Sequence, residues 1–160
     1  MKLGLAIEEL HRSESHLARS LLAVSDRHAA DHEIFHVARD LAGWSRRHVA
    51  ELARTGRDFG VELDPEPPED PGVLERVRQA TSDRLGRRPE PGLLLLADLR
   101  HVHRQAAGVS LDWELLAQAA QGARKRELLE LAQRCHPDTL RQMRWANAQL
   151  KESATQVLTS

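Results

Sequence analysis

LAGWSRRHVAEL, residues 41–52, lies inside a longer helical pattern in which Ile34, Ala38, Leu41, Ser45, His48, Leu52, Thr55 and Phe59 follow one another at steps of three and four. That spacing is the buried seam of an amphipathic helix. Apolar residues hold the seam except at Ser45 and His48, one turn apart, where a serine and a histidine take core positions. The seam predicts a helix over residues 28–59, with Asp31 and Glu33 suited to its start and Gly60 to its end.

The same period recurs along the chain. Leu3, Ile7, Leu10, Glu14, Leu17, Leu21 and Val24 predict a first helix over 3–25. Leu95, Leu99, Val102, Ala106, Val109, Trp113, Leu116 and Ala120 predict a third over 92–121, with Gly108 and Ser110 as a place where it kinks or divides. Leu128, Ala132, Cys135, Thr139, Met143, Ala146 and Leu150 predict a fourth over 124–155, with a kink at Pro137 and a tight turn at Gly122 before it. Between the second and third helices, VELDPEPPEDPG holds four prolines and excludes regular helix, while VLERVRQATSDRL suits a short one. Residues 60–91 therefore read as a crossover. No segment has the period of a strand. The expected fold is one all-α domain, an antiparallel four-helix bundle with one long connection in its middle.

Composition narrows the chemistry. The chain has 160 residues and a formal net charge of -1, with both signs interspersed, so neither a nucleic-acid face nor an acidic tail stands out. Aromatic residues make up 3% and tyrosine is missing, which disfavours a base-stacking platform. Cys135 is the only cysteine, which rules out an internal disulfide and a cysteine-based zinc site. The N-terminal MKLGLAIEELHRSESH becomes charged too soon for a signal peptide, and no apolar run reaches membrane length. The expected location is the cytoplasm, with neither membrane nor nucleic acid as a partner.

Two hairpins separated by a long crossover resemble the ferritin-like superfamily. Its metal-binding members carry a glutamate on each of the first and third helices and Glu-x-x-His on each of the second and fourth, four carboxylates and two imidazoles around two iron ions. Position by position, this chain offers Glu14 on the first helix. The second offers Ser45 and His48, with the glutamate missing. The third offers Ala106, with His103 a turn earlier at the seam's edge, and the fourth offers Thr139 and Gln142. One carboxylate cannot offset two divalent ions in a low-dielectric core, so the resemblance implies a bundle with no cofactor and a lapsed metal site, a non-catalytic interaction or structural module. The alternative is an oxidoreductase or metal-handling protein holding iron or manganese at a reduced site of Glu14, His48 and His103. A third possibility, a small-molecule pocket, would use the room left by Ala106, Ala120 and Ala146.

The remaining polar residues carry bland expectations. Counting from a turn near residue 27 separates Glu14 and His48 by roughly 12 Å, so each is expected to be satisfied alone, Glu14 by an arginine such as Arg104. His28, His32 and His36 read as a solvated face, His11, His16 and His101 fall off their seams, His136 belongs with the kink, and Cys135 reads as inert packing. Trp145, Leu93, Leu111 and Leu115 leave apolar surface that predicts self-association, as a dimer.

Overall fold

The computed structural model describes residues 2–67 and 90–160. Four helices account for nearly all of them: α1 (Leu3–Arg27), α2 (His32–Gly56), α3 (Pro91–Gly122) and α4 (Arg126–Thr159). A single 3-10 turn, Arg57–Phe59, extends α2, and no strand occurs among the described residues. α1 packs on α2 and α3, and α4 packs on α3 and α2, so each helix has two neighbours around one core.

The predicted seams are the core. Leu10, Leu17, Leu21, Ile34, Leu52, Leu99, Leu116 and Leu128 are buried, with Ala38, Ala106 and Ala120 beside them where helices approach closely. Each such large side chain contributes about 1.5–3 kcal/mol by leaving water. Sequence expectation and structure differ at the ends. α2 begins at His32, because Asp31 is its N-cap and accepts from the Ile34 N–H, satisfying a group with no partner inside the helix. The chain from His28 to Asp31 is thus the turn, and α1 runs on to Arg27. α3 passes unbroken through Gly108 and Ser110, and α4 passes through Pro137. Gly122 is the last residue of α3 instead of the turn itself. The reversal is made by Ala123–Lys125, where Arg124 takes the left-handed conformation at φ 56°. Trp145 packs against the core, so it is not part of an exposed patch; Leu93, Leu111 and Leu115 are exposed.

The ends fix the topology. Leu128 and the residues just before it lie beside Leu3 and Asp58, which puts the start of α4, the start of α1 and the end of α2 together. Gly92, at the start of α3, abuts Val157 near the end of α4. The chain therefore leaves α2 at one end of the bundle and enters α3 at the other, as a crossover requires. The expected short helix within VLERVRQATSDRL lies outside the described residues. No helix among the described residues is long and apolar enough to cross a membrane.

Candidate functional site

Glu14 on α1 and His48 on α2 meet in the centre of the bundle. His48 Nδ1 lies 2.8 Å from Glu14 Oε1, both side chains almost wholly buried. This corrects the expected separation of roughly 12 Å. The turn between α1 and α2 is centred between residues 29 and 30, not at 27, which sets Glu14 level with about Ser45 and leaves His48 one helical turn away, within side-chain reach. The expected partner Arg104 is exposed on α3 and takes no part.

Two more helices complete the layer. Trp113 on α3 donates its indole N–H to the same Glu14 Oε1 at 2.8 Å, and its ring meets the His48 imidazole edge to face with centroids 5.9 Å apart. On α4, Asp138 Oδ2 lies 3.1 Å from His48 Nε2. A neutral imidazole carries one N–H, whereas an imidazolium carries two. With a carboxylate on each ring nitrogen, His48 donates from both, and the charged form is the one the site selects. Burial opposes that charge; hydrogen bonding with Cys135 and Glu14, and the negative charge of Glu14, outweigh it and push the His48 pKa up to about 11. Cys135 is buried in the core cluster on the same face of α4.

One turn along, Gln142 donates from Nε2 to Ser45 Oγ at 2.8 Å and to the Leu41 carbonyl at 2.9 Å. Ser45 and Gln142 stand where the resemblance would put the glutamate of α2 and the histidine of α4, and they bond each other instead. Three buried oxygens of this core have no hydrogen-bond partner among the described residues: Glu14 Oε2, Thr139 Oγ1 and Gln142 Oε1.

His103, the third expected ligand, sits apart from this set, bonded through Nδ1 to the Met143 carbonyl at 3.2 Å. Asp138 and Gln142 carry no role in the sequence reading as ligands, yet the signal was present: 135, 138, 139 and 142 share one helical face. Among the described residues, no group of three or more histidine, cysteine or acidic side chains is arranged to hold a metal ion.

A second polar cluster closes the opposite end of the bundle. Asp98 on α3, buried, takes a bidentate pair from Arg27 at 2.9 and 2.8 Å and a contact from His28 Nε2 at 2.7 Å. Burial by itself would raise the Asp98 carboxyl, but the hydrogen bonds from His28 and Arg27, reinforced by their charges, hold it below the ordinary carboxylate range. His28 is thus buried and engaged, which corrects its assignment to a solvated face; His32 and His36 are the exposed pair. His11 and His136 are engaged as well, with the Asp64 carbonyl at 2.7 Å and the Ser110 hydroxyl at 2.8 Å.

Fold and site together define an all-α four-helix bundle with a polar layer across its core. Compared with known protein families, curated proteins and solved structures, the chain shows no match.

Proposed function

We propose that the chain is a ferritin-like bundle acting as a non-catalytic interaction or structural module, its metal-ligand positions given over to a closed hydrogen-bond layer. The observation that carries this reading is the state of His48, with Glu14 on one ring nitrogen and Asp138 on the other. A metal ligand must present a neutral nitrogen lone pair, and an imidazolium between two carboxylates has none to offer. The donor set also fails a di-iron centre by charge, since Ser45, Ala106, Thr139 and Gln142 are neutral where carboxylates and a histidine would stand. Elemental analysis of untagged protein tests the reading: less than about half an equivalent of iron or manganese per chain is expected. Near-stoichiometric metal overturns it.

One observation favours the second reading, a single ion at a reduced site. Glu14 Oε2 is buried and without a partner, next to the only seam imidazole of α2. Such an ion would have to displace the Asp138 contact and a proton from His48, so its binding would strengthen steeply with pH. Titration with Mn(II) at pH 6 and pH 8.5 separates the two: the module reading expects no saturable binding at either pH.

Association with a second copy belongs to the same proposal. Leu111 and Leu115 are exposed one turn apart on the outer face of α3, at 60% and 67%. Sedimentation at micromolar concentration is expected to show a dimer that Leu115→Glu dissociates, and a strict monomer sinks this part.

A further inference from the structure

α3 carries a second seam, on the side away from the core. Ala97, Arg100, Arg104, Gly108, Leu111 and Leu115 follow one another at steps of three and four, and every one of them is exposed. That is the period of a helix surface able to meet another helix along its length. α3 is also the least one-sided of the four helices in where its apolar residues fall. The apolar surface continues onto α4. The Ser110–His136 and His103–Met143 contacts set the register of the two helices, and Leu140, one turn after His136, stands level with Ala106 and Ala107 and is exposed. Leu111, Leu115 and Leu140 therefore lie around Gly108.

Gly108 is a separate observation. A glycine in the middle of an exposed helix lowers its stability relative to alanine. A Cβ added here would meet nothing within 4 Å, so no packing within the chain asks for glycine. What glycine supplies is a low place on the helix surface, where another backbone can come close. Charge then gives the surface a direction. Arg100 and Arg104 lie to the amino side of Gly108 and Glu114 to the carboxyl side, all exposed. Two copies of α3 laid side by side in the same direction would set arginine against arginine. Turned end for end, each sets its arginines against the glutamate of the other. The face is complementary to its own reverse.

We infer that the outer face of α3 is an isologous interface for a second copy of this chain, the two α3 helices antiparallel about a twofold axis that passes between Val109 and Ser110. The inference rests on the self-association proposed above and gives it an arrangement. Such an axis puts Leu111 of each copy over the low place at Gly108 of the other. It sets Leu115 level with Arg104, whose aliphatic stem lies along the leucine while its guanidinium reaches Glu114 one residue away.

Sedimentation of the full chain across micromolar concentrations reads the dimer dissociation constant. Gly108→Leu fills the low place and is expected to weaken association about a hundredfold, the upper end for overpacking a close contact. Its helix content should be unchanged and its thermal midpoint at high dilution no lower, since leucine is the better helix former in an open position. Arg104→Glu and Glu114→Arg are each expected to weaken association about tenfold, because symmetry makes each reversal count twice. The two reversals in one chain should restore it to within about threefold of the wild type, a rescue that parallel helices do not give. A dimer indifferent to Gly108→Leu has its contact elsewhere, and a double variant as weak as the single ones rules out the antiparallel order; either result overturns this inference and leaves self-association standing. A wild-type chain that stays monomeric throughout overturns both, and is the outcome if another segment or an unrelated partner covers this face.

Discussion

Two histidine–carboxylate contacts of nearly equal length hold this bundle, and they are built differently. His48 meets Glu14 at 2.8 Å in mid-core, and His28 meets Asp98 at 2.7 Å at one end. Around His48 each of four helices supplies one member, Glu14, His48, Trp113 and Asp138, and only Asp138 reaches toward water, at 22% exposure. Around Asp98 the cation Arg27 is part-exposed, at 23%, so the cluster can relax and draw on solvent. Contact length therefore says little about what a contact contributes. What matters is which partners are left stranded when one member is removed.

That difference predicts the largest effect. Glu14→Ala strands the His48 imidazolium and the Trp113 N–H together in a dry core, and a loss of about 3–5 kcal/mol is expected by urea denaturation. The sequence-based expectation that Glu14 and His48 act independently gives way to coupling. In a double-mutant cycle with Glu14→Gln and His48→Gln, a coupling energy above about 1 kcal/mol is expected, and additivity within about 0.3 kcal/mol would sink the shared layer. Such coupling follows from the hydrogen bonds of the layer alone, so by itself it does not signal a metal centre.

The second test uses pH to set the two clusters against each other. His48 has a pKa raised to about 11, from about 6.5 in an unfolded chain, so the stability it adds is full below about pH 6.5 and declines as pH rises toward 11. Asp98 has a lowered pKa, so its contribution is present above about pH 4, the unfolded value, and is lost as pH falls through the folded one. Between them, stability is expected to be highest from about pH 4 to 6.5, with the alkaline slope assigned to the core layer and the acid slope to the end cluster. His48→Gln should flatten only the former and Asp98→Asn only the latter. A variant that flattens the opposite slope would show that the assignment is reversed.

Much of this was legible in the chain and some was not, for reasons that particular residues make plain. Periodicity placed Glu14, Ser45, His48 and Thr139 in the core because a repeat near 3.6 depends only on spacing along one helix. It could not say that Glu14 and His48 touch, because register between helices depends on where the turn falls, and a shift of that centre from residue 27 to between 29 and 30 moved the pair by more than a helical turn. Asp138 escaped for a different reason. It stands one position before the seam residue Thr139, at the edge of the buried face, where spacing alone does not say whether a carboxylate turns inward or toward water. His28 departs from the expectation because it lies in the turn between α1 and α2, where the period of a helix does not hold.

The smallest expected effects make the sharpest contrast, since His28 and His32 carry the same side chain four residues apart and were assigned the same exposed role. His32 is the first residue of α2, exposed, with a stacked ring contact to His36 at 6.3 Å between centroids as its described interaction. His32→Ala is expected to change stability by no more than about 0.5 kcal/mol. His28 is 9% exposed and bonded to a buried carboxylate, and its loss leaves Asp98 with Arg27 still in place, so His28→Ala is expected to cost about 1–2 kcal/mol. His28→Asn, which can keep a hydrogen bond to Asp98, should recover part of the loss. If the two alanine variants prove equally neutral, the turn from His28 to Asp31 is not anchored to α3 through Asp98, and the end cluster reduces to a single ion pair with Arg27.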